Sequence, residues 1–119
     1  MNLFRRLYNA LYKSGFRFDD GSILYHHPLD NVIHNYSGTS PRKIVDIPLL
    51  HDQKSGLERI DTSVSWRWRE NFGDDDMERS QDQLLSKEDS QDLCKKLEFF
   101  VAKSPKWFEP FTCSEKTMA

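Results

Sequence analysis

Long apolar runs are missing from this chain. Its 119 residues nowhere approach the ~20 consecutive apolar positions that a membrane-spanning helix needs. The first residues, broken by Arg5, Arg6 and Asn9, also lack the continuous apolar stretch of a secretory signal. Cysteine is scarce. Cys94 and Cys113 do not make a disulfide framework; a bridge between them is possible, but nothing in the sequence indicates one. Two reduced thiols suit a reducing compartment, and the expectation is a cytoplasmic protein without a membrane partner.

Signatures of chemistry are missing too. No Gly-x-Ser-x-Gly turn presents a nucleophile. Acid–base work needs a carboxylate held in a dry environment, whereas the crowded carboxylates here fall in a polar run that reads as hydrated loop. The histidines are His26, His27, His34 and His51. His26 and His27 are neighbours on a strand pattern and point to opposite faces, so they do not share an ion, and no cysteine or acid stands at a ligand spacing. No metal, no cofactor and no enzymatic activity is expected.

What is present is ring-rich and charged. Hydrophobic residues make up only 37% of the chain but aromatics 13%, with charged residues at 30%. A small core built from few, large groups follows, because each aromatic buries roughly 150–250 Å². The length allows one domain, read as residues 1–113, with 114–119 as a disordered tail.

The most regular pattern runs from Leu57 to Arg69. Ile60, Thr62, Val64, Trp66 and Trp68 alternate with Arg59, Asp61, Ser63, Ser65, Arg67 and Arg69. A period of two predicts one strand with a dry face and a wet face; a helix would set the two indoles about 200° apart. Trp66 and Trp68 then belong to the core and the arginines to the other face. Stacking on bases needs both residue types on one accessible face, so nucleic acid is not expected as a partner.

Around that strand the pattern reads in order. Leu3, Phe4, Leu7, Tyr8, Leu11 and Tyr12 form one stripe of a helix over residues 2–14. Short strands follow at Phe16–Phe18, Ser22–His26 and Asn31–Tyr36, the first two joined by the tight turn Asp19-Asp20-Gly21. Arg42–Leu50 is a further strand, which Pro48 assigns to an edge or a bulge. Residues 77–85 read as a loose helical turn or a mobile stretch. Ser86 caps a clear helix whose buried stripe is Leu93, Leu97, Phe100 and Val101, and Ser104-Pro105 stops it. The aromatic tail Trp107-Phe108-Glu109-Pro110-Phe111 is expected to lie back on the domain. The fold class is therefore α+β: an antiparallel sheet of about four or five strands, packed against an N-terminal and a C-terminal helix.

Charge is distributed unevenly. Residues 1–18 carry a net +4, while residues 70–92 carry a net −7, with nine acids against Arg79 and Lys87. A density of this kind attracts cationic proteins and speeds their encounter. The candidate partner-binding residues are Glu70, Asp74, Asp75, Asp76, Glu78 and Asp82, with Phe72, Trp107 and Phe108 as apolar anchors.

The strand Ser65-Trp66-Arg67-Trp68-Arg69, the acidic Gly73-Asp74-Asp75-Asp76, the helix from Ser86 and the tail Lys106-Trp107-Phe108 together give a picture that resembles bacterial immunity proteins of contact-dependent growth inhibition systems. The resemblance is one of size, charge layout and lack of a catalytic signature, and rests on no shared motif. It implies a monomeric cytoplasmic protein that binds the basic C-terminal toxin domain of its partner, often a nuclease, and blocks it. A small acidic secretion-type chaperone is the alternative binder. A small enzyme with an unrecognised site is the alternative of another class.

Overall fold

The computed structural model describes residues 3, 15–26, 29–38, 42–70, 83–104 and 107–113. Its axis is one long strand, Lys43–His51, whose odd positions Val45, Ile47 and Leu49 are all buried. In chain order the strands are β1 (Phe16–Arg17), β2 (Ile23–His26), β3 (Val32–Tyr36), β4 (Lys43–His51), β5 (Glu58–Ile60), β6 (Arg67–Glu70) and β7 (Gln83–Leu84), followed by helix α1 (Lys87–Lys103). Every strand pair is antiparallel, in the order β1-β2-β3-β4-β6-β7, and β5 pairs with β4 beside that path.

The class is α+β, as the pattern predicted, but the strand count is seven rather than four or five among the described residues. Two departures account for it. The alternating stretch Leu57–Arg69 is not one strand. β5 ends at Ile60, where the Asp61 carboxylate accepts the backbone N–H of Ser63 at 2.9 Å, a local turn that competes with the ladder. The chain rejoins β4 as β6. Leu49 pairs with Ile60 but Val45 pairs with Trp68, so four more residues lie on this edge than on β4. An even insertion keeps side chains in phase, which is why the alternation survives in sequence although the strand does not. Val64, read as a core position, is 40% exposed in that excursion, whereas Trp66 is buried. The second departure is β7, which lies where a loose helical turn or mobile stretch was expected.

Pro48 does not put β4 at an edge; β4 is central, with β3 on one side and β5 and β6 on the other. Leu49 donates its N–H toward β3, to the Asn31 carbonyl at 2.8 Å. The nitrogen of Pro48 therefore faces the opposite side, at the point where β5 has ended and the chain bends away. A missing donor costs little there, and the Pro48 carbonyl still accepts the Asp61 N–H at 2.9 Å.

Helix α1 starts as its sequence demands. The Ser86 hydroxyl accepts the Asp89 N–H at 3.1 Å, and Ser104 closes the other end on the Phe100 and Val101 carbonyls. Its buried face is the expected Leu93, Leu97, Phe100 and Val101, with Cys94 added. This face covers the side of the sheet formed by Leu24, Ile33, Val45, Ile47, Leu49 and Ile60. The aromatic tail does lie back: Trp107 O accepts the Glu58 N–H at 2.6 Å, Glu109 N donates to Glu58 O at 2.8 Å, and Phe108 packs against Phe100. The expected N-terminal helix over residues 2–14 lies, Leu3 apart, outside the described residues, so α1 is the one helix described. Leu3 is helical and 72% exposed rather than packed. The expected tail 114–119 also lies outside them. Among the described residues, no helix is long and apolar enough to cross a membrane.

Candidate functional site

At the Lys43 end of β4 the sheet and the first turns of α1 leave a cleft of about 260 Å³. Asp20 enters it from the β1–β2 turn, Lys43 and Trp68 from the sheet, and Asp89, Asp92 and Lys96 from α1. Its centre is Lys96, whose ammonium donates to Asp20 Oδ2 at 2.6 Å, to Asp92 Oδ2 at 2.8 Å and to Ser22 Oγ at 3.0 Å. All three of its hydrogens are used. Burial works against the charge on Lys96, but the bonds to Asp20 and Asp92 outweigh it and raise the pKa above that of an ordinary lysine. The bond from Lys96, helped by those from Ser22, holds the Asp20 carboxyl far below the usual carboxylate range.

The turn that carries Asp20 is held by close backbone contact. Gly21 has φ 85° and donates to the Phe18 carbonyl at 2.9 Å. Gly38 lies so close that a Cβ there would sit 2.7 and 2.8 Å from Gly21 backbone atoms and collide with the Asp20 carbonyl. On the opposite wall the Lys43 ammonium stands 4.2 Å over the Trp68 ring, a cation–π contact. Trp68, assigned to the dry core, is half-buried and forms part of this wall.

The expected partner-binding residues fall into two groups. Glu70 ends β6 directly opposite Lys43, and Gln83 opens β7 directly opposite Trp68. The described residues on either side of 71–82 therefore stand on the strands that carry the cleft's wall. Phe72, Asp74, Asp75, Asp76, Glu78 and Asp82 belong to that connection and lie outside the described residues. Glu88, Asp89 and Asp92 make the exposed start of α1 acidic. Trp107 and Phe108 lie elsewhere. They pair with Glu58, itself opposite His51 at the far end of β4, eight residues or about 26 Å of strand from Lys43. Trp107 is 63% exposed, while Phe108 is half-buried against His26 and Phe100.

Sequence reasoning missed Asp20, Lys43 and Lys96. Asp20 carried only a turn signal and Lys96 only a helix-dipole signal, and their contact spans 76 positions. No local pattern reports such a pairing.

A second polar group crosses the face of the sheet away from α1. His34 Nδ1 is 2.8 Å from Asp46 Oδ1 and its Nε2 is 3.4 Å from Asp30 Oδ2. Asp46 also accepts from Arg69 Nε at 3.4 Å. Only a doubly protonated ring donates to both carboxylates. The bond to Asp46, against some burial, raises the His34 pKa, and the reciprocal bond lowers that of Asp46. Tyr25 stacks on the ring at 5.4 Å. A ring held in this way, with Tyr25 from β2, Asp46 from β4 and Arg69 from β6 around it, braces neighbouring strands of the sheet. His26 contacts the Asp30 carbonyl at 2.9 Å, and His51 contacts Glu58 at 2.8 Å. Among the described residues, no three His, Cys, Asp or Glu side chains converge as metal ligands.

No family model, no curated protein and no solved structure matches this chain.

Proposed function

We propose that this chain is an immunity protein. In this reading it binds the basic toxin domain of a cognate protein, a nuclease by preference, in the cytoplasm and as a monomer, and neutralises it. The observation that carries the reading is the placement of the acidic connection. The described residues on either side of it stand side by side on β6 and β7, at the wall of a cleft whose other rim is the acidic start of α1. Asp74, Asp75, Asp76, Glu78 and Asp82, flanked by Glu70, Asp89 and Asp92, supply carboxylates that imitate a phosphate backbone and meet Lys and Arg groups of the partner.

Phe72 and the 57% exposed Leu84 supply apolar contact beside the charges. Trp107 lies at the other end of β4 and belongs to a separate, secondary contact. Salt sensitivity follows, because exposed charge pairs are screened within about 10 Å at 0.1 M salt. The reading is tested by co-expression with the C-terminal domain of the protein encoded immediately upstream. Growth should be restored when this chain is present. Continued arrest with both proteins soluble contradicts the proposal.

A further inference from the structure

Cys94 and Cys113 are distant in sequence but share one packing site. Cys94 sits on the buried stripe of α1 with no exposed surface. Cys113 ends the described tail, half-buried, and packs against the core cluster that contains Cys94. Its backbone N–H donates to Glu98 Oε1 at 2.6 Å. Glu98 lies one helical turn beyond Cys94, on the same side of α1. The tail is therefore held at two places: at Phe108, through its pairing with Glu58, and at Cys113, against Cys94 and Glu98. The two thiols thus belong to one packed cluster, and neither is in a disulfide.

We propose that Cys94 and Cys113 form a dithiol modification site, which small-molecule disulfides of the glutathione class oxidise to an intramolecular bridge that staples the tail to α1. Cys113 is anchored to Glu98, one helical turn from Cys94, and packs against the cluster that holds Cys94, so the two side chains start as neighbours on one side of α1 for the ~2 Å bond of a disulfide. Cys113, the more accessible thiol, ionises and attacks one sulfur of oxidised glutathione. One glutathione leaves as the thiolate and takes up the proton that Cys113 lost. Cys94 then loses its proton and attacks the Cys113 sulfur of the mixed disulfide, releasing the second glutathione, which takes up that proton. Two protein S–H bonds and one glutathione S–S bond become one protein S–S bond and two glutathione S–H bonds.

Burial, and then the neighbouring Cys94 and Glu98, push the Cys113 thiol above the ordinary cysteine value. The site is therefore slow to react near neutral pH and faster as pH rises, because the thiolate is the nucleophile. This reactivity suits a pair that stays reduced in a reducing compartment and closes under sustained oxidation.

The test uses the intact native chain, incubated with excess oxidised glutathione across a rising pH series without denaturant. The expected product is a monomer lighter by two hydrogens, with peptides containing Cys94 and Cys113 joined. Amide exchange at Glu58 and Glu109 should slow by tenfold or more as the tail is fixed. Cys113→Ser should give neither the bridge nor an adduct at buried Cys94. Persistent glutathione adducts, a disulfide-linked dimer, or unreacted thiols at the alkaline end of the series would each overturn the proposal.

Discussion

Lys96 shows how one side chain can tie the start of the chain to its final helix. It is 15% exposed, while its partners Asp20 and Asp92 are more than half exposed. Solvent therefore screens much of the attraction, and Lys96→Met should cost roughly 1 kcal/mol rather than the several expected of a buried pair. The depressed Asp20 pKa sets the pH window. Its stabilisation is present above the unfolded carboxylate value near pH 4 and is lost as pH falls. Chemical denaturation of wild type and variant should therefore differ at pH 7 and converge toward acid. His34 titrates in the opposite sense. With its folded pKa raised above 6.5, its contribution is complete below that value and fades as pH rises through the folded pKa. Asp46, depressed by His34, contributes only above about pH 4. Replacing His34 with Asn should thus cost about 1 kcal/mol between roughly pH 4 and 6.5, and less at pH 9. A constant difference across pH would show that His34 acts by packing alone. Gly38→Ala should cost roughly 1–3 kcal/mol in the same assay, because the Gly21 backbone cannot yield to the added methyl.

Among the elements, α1 was fully legible from its sequence. Ser86 gave the start, and Leu93, Leu97, Phe100 and Val101 gave the buried face, because capping and helical spacing are local. Leu97→Ala, at a fully buried position, should remove about 2–5 kcal/mol of stability, measured by urea unfolding. The sheet was legible only in part. The turn Asp19-Asp20-Gly21 announced the β1–β2 hairpin, and the short strands before β4 followed from their alternation. The break between β5 and β6 was hidden, since inserting an even number of residues preserves the parity of Ile60 and Trp68. Pro48 marked the interruption between β5 and β6 but not a sheet edge, because which neighbour its nitrogen faces is set by tertiary register. β7 is a two-residue strand, too short to carry a period of its own.

For the molecule as a whole, charge was the readable part. The acidic stretch 70–92 stood out from composition, and the sheet adds its attachment: the described residues on either side of 71–82 stand on the strands that carry the wall of the cleft. Of the expected partner-binding residues that are described, Glu70 pairs with Lys43 at one end of β4, while Trp107 and Phe108 pair with Glu58 at the His51 end. Long-range contacts such as Asp20 with Lys96 leave no trace in composition or spacing. The proposed function rests on the acidic connection as the docking surface, and titration calorimetry of the chain against the toxin domain proposed as its partner tests it most directly. Asp74→Asn, Asp75→Asn and Asp76→Asn combined should weaken binding at low salt at least tenfold, about 1.4 kcal/mol. The same variant should flatten the salt dependence while leaving the unfolding midpoint unchanged. Wild-type affinity with wild-type salt dependence in that triple variant would contradict the account.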